Sequence, residues 1–410
     1  MKTQILLCSL VVSLAGFAQR KSIYAITDLN PGGAAWLNIK EVQPDGADGK
    51  FILKNQEFDG TRFDLATQSK TAVSVRTLAN GNDLPLNSGV AALAFDASHN
   101  RLYFSTMFTG DIRYVSLKEN NSYYQVGNVF TTLPQPNNVP INSNNQGPVI
   151  TRMTMGADGY VYGLSNNGDA FFRVSTQSKK ATIENLGKLS DDPSNDGMSI
   201  HASCSSWGGD MIAAADGSIY VFSMYQHIFK VNPSTRVAKY IGKIEGLPAN
   251  FTVNGAAVNE EGGIVLSSAT LASKVAVIAD PEQMLKATIK DNQTWMNASD
   301  LASGNLLFAK KSEVVFSEFD RSTGQSGVGV FPNPVSNGQV IVHFKEGMQG
   351  KHTLDLLDIA GSPKMQSFVN LNGEAQRVTL RTGVLASGLY LLRVTNGGKK
   401  EVETIKVLIQ

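Results

Sequence analysis

The sequence predicts an all-β fold, a six-bladed β-propeller followed by a small antiparallel β-sandwich of immunoglobulin-like type. Two observations carry this. A phrase of small-residue strand, Asp- or Gly-containing turn and aromatic or β-branched strand recurs between Gln19 and about Asp320, while Val328–Gln410 changes to short alternating strands cut by Pro and Gly turns. Repetition at a fixed period is the mark of stacked supersecondary units, and roughly 40 to 50 residues is the period of a four-stranded propeller blade.

In chain order, Met1–Ala18 comes first, with one early charge, Lys2, and an apolar run from Ile5 to Ala15. That is the pattern of a secretory signal peptide, with Gly16 and Ala18 set for cleavage before Gln19, and the run is too short for a transmembrane helix. No other stretch is apolar for about 18 residues, so the expectation is a protein without a transmembrane segment. Lys21–Thr27 precedes the first full repeat and is placed to lend a strand to the last blade.

The clearest repeats run Val90–Asp96 into Arg101–Phe104, Thr151–Gly159 into Tyr160–Tyr162, and Met211–Gly217 into Ser218–Phe222. Weaker ones run Ala47–Gly49 into Phe51–Leu53, Gly255–Gly262 into Ile264–Val265, and Asp300–Gly304 into Leu306–Leu307. Aligning Ile52, Tyr103, Tyr162, Tyr220, Val265 and Leu307 gives intervals of 51, 59, 58, 45 and 42 residues, hence six units. Third strands such as Ala170–Thr176 and His227–Thr235 follow, and a fourth such as Ala238–Gly242. Radial stacking buries both faces of such hairpins and limits exposed edges. The uneven intervals leave a β-sandwich or two smaller β domains as the alternative.

Composition narrows the function. A formal charge of +1 gives no general attraction to nucleic acid or anionic membrane. Of two cysteines, Cys8 would leave with the leader, so the mature chain would keep only Cys204 and form no internal disulfide. With 42% hydrophobic residues, burial has ample material to hold the fold instead.

The last segment opens on Phe331-Pro332-Asn333-Pro334, continues through the strand Val340–Phe344, turns at Leu385–Tyr390 with a Gly388-x-Tyr390 start, and closes on Lys406-Val407-Leu408-Ile409. The order of Pro332, Asn333, Pro334, Gly388, Tyr390, Lys406 and Val407 resembles the type A C-terminal sorting domain of the Bacteroidetes type IX secretion system. That resemblance implies export by the type IX secretion machinery to the cell surface or medium. The expected organisation is leader 1–18, propeller 19–320, linker 321–327 and sorting domain 328–410.

The repeat region is similar to secreted propellers of the NHL and gluconolactonase-like class and lacks the Trp-Asp pair of WD40 blades. In propellers ligands bind where inter-blade loops gather over the central axis. Two long connections stand out. Pro134–Pro148 is rich in amides, with Asn144 and Gln146 as candidate ligand contacts for sugar or peptide, though such a loop also serves as a solvated linker. Ser190–Asp210 gathers Asp196, His201, Cys204, Trp207 and Asp210.

Carboxylates there suit calcium and His201 with Cys204 suits zinc. Yet Asp192–Gly197 imitates only the opening of an EF-hand loop, since Ser203 stands where the bidentate Glu belongs. A lone cysteine on a small-residue strand is more often packing than nucleophile. Arg152 and Asp210 occupy equivalent points on neighbouring inner strands and read as an inter-blade ion pair, with a channel-lining ligand contact as the alternative.

Resemblance to the gluconolactonase-like class implies a channel cation, calcium or another divalent ion, for which Glu41, Asn254, Asn297 and Asp300 are the candidate ligands. No Gly-x-Ser-x-Gly, His-Glu-x-x-His, Cys-x-x-Cys or phosphate-cradling Gly loop is present. The sequence therefore favours an exported binding protein whose ligand is a glycan, peptide or surface polymer. A secreted metal-dependent hydrolase or lactonase and a non-catalytic coat component are the alternatives.

Overall fold

Short β-branched strands joined by Gly and Asp turns cannot bury two faces alone, and in the computed structural model they do so by stacking as blades. The structure describes residues 22–42, 49–76, 84–119, 121–132, 144–176, 181–291, 295–309, 327–331, 333, 335, 339–345, 347–373, 376–382, 385–397 and 401–409. The leader Met1–Ala18, Pro332 and Pro334 lie outside the described residues. The chain divides into two compact units, Met1–Lys311 and Ser312–Gln410.

In the first unit, β1 (Ile23–Thr27), β2 (Asn38–Val42) and β3 (Phe51–Lys54) are followed by a hairpin of β4 (Asp59–Asp64) and β5 (Ser69–Ser74). Three sets of four come next. They are β6 (Val90–Asp96), β7 (Arg101–Thr106), β8 (Asp111–Ser116) and β9 (Ser122–Asn128); then β10 (Ile150–Met155), β11 (Tyr160–Ser165), β12 (Phe171–Ser175) and β13 (Ile183–Gly187). After a short β14 (Ser190–Asp191) come β15 (Asp210–Ala213), β16 (Ile219–Phe222), β17 (His227–Asn232) and β18 (Val237–Lys243). The last full set is β19 (Gly255–Val258), β20 (Ile264–Ser267), β21 (Lys274–Ile278) and β22 (Thr288–Asp291), and β23 (Ala298–Ser303) ends the unit.

Strand β23 pairs with β1, Ile26 opposite Asp300, so the last strand completes the first blade as β23-β1-β2-β3. This is the ring closure expected of the N-terminal strand. The second blade carries β4 and β5 as an addition, because β4 runs parallel to β9 at its outer edge. The short β14 likewise lies parallel to β18.

The propeller class holds, but the blades number five where the sequence counted six units. The described residues of this unit form five sheets, and their inner strands pack in the order β6, β10, β15, β19, β23 and back to β6. Five apolar clusters fill the five junctions between neighbouring blades; Ile212, Phe222, Phe251 and Leu266, for example, belong to the junction of the fourth and fifth. The extra unit has a physical origin. Ile52 lies on the outer strand β3 and Leu307 lies beyond β23, so the weak repeats at the two ends are halves of one blade. The uneven intervals arise from the long connections that enter β10 and β15.

Five inner strands leave little room on the axis. Leu93, Met153, Met211, Ala256 and Leu301 line an axial cavity of about 10 Å³, the space of about one water. Beyond β23 the chain crosses one end of this axis: Asn305 donates to the Val258 carbonyl, and Leu307 bridges to Ala214, its amide donating to the Ala213 carbonyl.

The second unit is a sandwich. One sheet runs β24 (Val328–Phe331), β25 (Gln339–Phe344), β28 (Gln376–Arg381). The other runs β27 (Pro363–Asn372), β26 (Gln349–Asp358), β29 (Gly388–Asn396), β30 (Glu401–Ile409). Alternation places Val340, Val342 and Phe344 of one sheet against Leu354, Leu356, Leu392 and Val394 of the other.

Candidate functional site

Every inner strand begins at the same face of the propeller, and there the long connections and the turns between second and third strands converge. On that face the third and fourth blades build a polar cluster. Asn166 holds it together: its carbonyl accepts from the Gly208 amide (2.8 Å) and the Thr151 hydroxyl (2.8 Å), and its amide donates to the Gln146 carbonyl (2.9 Å). The connection before β10 is thereby tied to the one before β15.

His201 Nδ1–H donates to the Asn167 carbonyl (2.5 Å), and Asp169 lies 3.7 Å from the same nitrogen. Asp169 accepts from the Asn167 amide (2.9 Å) and pairs with Lys188 (2.8 Å). Trp207 Nε1–H donates to the His201 carbonyl (3.1 Å), and a Cβ on Gly147 would sit 3.3 Å from its ring. The neighbouring turn presents Tyr225, 41% exposed, next to Met224, whose amide donates to the Trp207 carbonyl. A half-exposed indole and tyrosine set among amides can stack on an apolar face and hydrogen-bond around its rim.

Of the sequence candidates, Gln146, His201 and Trp207 meet in this cluster, and Asn144 is exposed on the same connection. Asp196 is elsewhere. It occupies a left-handed turn position (φ 49°) beside Asn195, whose side chain is bonded to Ala238 and Tyr240 on the outer strand β18. Asn166, Asn167 and Asp169 were missed by sequence reasoning, which weighed only the long connections. Their signal was a polar Asn-Asn-Gly-Asp turn between a second and a third strand.

Beneath the cluster, Arg152 and Asp210 do not make the ion pair read from the sequence. The fully buried guanidinium donates instead to the carbonyls of Ser165 (3.1 Å), Gly208 (2.7 Å) and Ser206, joining the third blade to the connection before the fourth. Desolvation pushes its pKa down to about 10, against the attraction of Asp210. Asp210 is turned to backbone amides: Met211 (2.6 Å), Ala256 (2.6 Å) and Leu301 (3.3 Å). Asp300, also fully buried, has no well-formed hydrogen bond at either carboxyl oxygen, with the amides of Leu93 and Leu301 its nearest donors.

Nor do the four cation candidates converge. Glu41 is on β2, third strand from the axis, where it accepts from the Ser22 hydroxyl (2.5 Å) and walls an open groove of about 800 Å³ against β3. Asn297 anchors the Gly32–Gly33 loop and the Ala269 carbonyl, and Asn254 accepts from the Ala269 amide. With the carboxamides engaged and Glu41 two strands outward, the four surround no common point. Among the described residues no group of three His, Cys, Asp or Glu side chains is placed to hold a metal ion. Cys204 is an exposed free thiol, and Asp192 caps its own turn at Ser194.

In the second unit, Asn333 clips the final strand. Its amide donates to the Lys406 carbonyl (2.7 Å) and its carbonyl accepts from the Leu408 amide (2.9 Å), while Val335 N–H donates to the Leu408 carbonyl (2.7 Å). Tyr390 sends its hydroxyl back to the Ala386 carbonyl (2.8 Å), a corner that fixes the turn opening β29 at Gly388. Val407 is buried in the core between these contacts.

Comparison with known proteins assigns this second unit. Residues 329–410 match the model of the secretion system C-terminal sorting domain. No curated protein matches the chain. Among solved structures, a protein of unknown function from Bacteroides thetaiotaomicron is 11% identical over 69% of this chain and 71% of its own, with a TM-score of 0.39. PorZ, a surface component of the type IX secretion system of Porphyromonas gingivalis, is 12% identical over 92% and 73%, with a TM-score of 0.28. Virginiamycin B lyase from Staphylococcus aureus is 10% identical over 95% and 96%, with a TM-score of 0.33. By its own strand order the first unit is a β-propeller, and the chain carries at residues 329–410 a secretion system C-terminal sorting domain, a module that marks it for export to the cell surface or medium.

Proposed function

We propose that the protein is a non-catalytic binding protein, exported through a cleaved leader at 1–18, whose propeller (19–320) displays a polar, aromatic-edged face while the sorting domain beyond the 321–327 linker delivers it outside the cell. Its ligand is an uncharged surface glycan, with an extended peptide as the alternative. The carrying observation is the cluster in which Trp207 lies beside Gly147 and His201, with Asn167, Asp169 and exposed Tyr225 around it. An aromatic face flanked by amides and a carboxylate suits the alternating apolar and hydroxylated faces of a sugar ring. Asn144 and Gln146 extend that rim, and Arg152 and Asp210 support it from below.

The metal-dependent hydrolase reading is disfavoured by an axial cavity of about 10 Å³, far below the several hundred Å³ typical of small-molecule sites. Binding of the mature protein to a panel of neutral polysaccharides tests the proposal. Trp207→Ala is expected to weaken retention at least tenfold with the circular dichroism spectrum unchanged. Equal retention of variant and parent would move the site away from this face.

A further inference from the structure

We propose that Asp210 and Asp300 share a single proton at the centre of the propeller, Asp300 donating to Asp210, and that this hydrogen bond makes closure of the blade ring pH-dependent. Asp210 opens β15 in the fourth blade and Asp300 lies on β23, the strand that closes the ring by pairing with β1. Both side chains are fully buried. Asp210 already accepts from three backbone amides of three different inner strands, Met211, Ala256 and Leu301, so its oxygens are held in place as acceptors.

Asp300 is the anomaly, since neither of its buried oxygens receives a well-formed hydrogen bond, the backbone amides of Leu93 and Leu301 being its nearest donors. A buried carboxylate so poorly supplied with donors is strongly disfavoured against its protonated form. A carboxylic acid in the same place has a hydrogen to give, and the acceptor beside it is Asp210. Among the described residues, the charged group facing the pair from another strand is Arg152 of β10, which favours keeping one negative charge there. Strands β6 and β19 bring the backbone of Leu93 and Ala256.

Burial raises both carboxyls well above the usual range, and for Asp300 the charge of Asp210 adds to it. In the unfolded chain these residues titrate near about 3.9, whereas the folded pair keeps its proton to higher pH. The folded state therefore binds more protons across that window. The contribution to stability is complete below it and is lost as pH rises through the titration of the pair, by up to about tenfold in the folding constant per pH unit for one proton.

Two measurements on the mature full-length chain test this. Infrared spectra at pH 5, above the range in which unfolded carboxyls titrate, should show the C=O stretch of a protonated carboxylic acid that is absent from Asp300→Asn. Urea midpoints across pH 5 to 9 should fall with pH more steeply in the parent than in Asp300→Asn, whose amide can still donate to Asp210. Absence of the protonated band in the parent would overturn the proposal even if the variant failed to fold. An equal slope in parent and variant would overturn it as well.

Discussion

Asn333 shows how one side chain can do the work of a strand. A carboxamide that donates to one residue of β30 and accepts from the residue two further on repeats the spacing of a ladder, so the Asn333 side chain can hold the last strand. That gives a reason for Asn between two prolines that a motif alone does not. Asn333→Ala is expected to leave the sandwich folded, to cost about 1 kcal/mol, and to speed hydrogen exchange at the Leu408 amide relative to the amides of β29. Unchanged protection at Leu408 would contradict the clip. Arg152 teaches the complementary point: charge complementarity with Asp210 was legible, but five N–H donors in a rigid fork were better satisfied by three carbonyls on the connection and strand around them.

At the scale of the element, the third and fourth blades share a turn carboxylate, a second-strand tyrosine and a third-strand cation. Tyr162 donates to Asp158 (2.7 Å) and lies opposite Arg173; Tyr220 lies opposite Lys230, which Glu282 of the fifth blade joins (2.6 Å). The tyrosines were visible in the sequence as aligned positions. Their cross-strand partners were not, because pairing depends on register. The small residues of these strands also have a packing reason. A Cβ on Gly163 would lie 2.2 Å from the ring of Phe172, its partner across β11 and β12. Gly163→Ala should therefore displace that ring from the third blade and lower stability by about 2 kcal/mol, read as a reduced urea midpoint with little change of slope. An unaltered midpoint would show that the ring can move freely.

For the whole molecule, the proposed division gives delivery to the second unit and display to the propeller. Deleting 328–410 is expected to leave a propeller with the parent's circular dichroism spectrum and thermal midpoint but to keep it from the surface and the medium; normal appearance outside the cell would exclude the sorting role. The sequence by itself determined the all-β class, the sorting domain and most strand positions, because strand alternation, turn residues and a motif with fixed spacing are local properties of the chain. It also marked His201, Trp207 and Gln146, since long polar connections stand out against short turns. Only the tertiary structure decided that the ring closes at five blades, as the half-repeats at the two ends unite solely through the pairing of β1 with β23. It likewise separated Glu41 from Asn254, Asn297 and Asp300, and placed Asp300 beside Asp210. These outcomes depend on which strands become neighbours around an axis, and contacts across hundreds of residues leave no periodic trace along the chain.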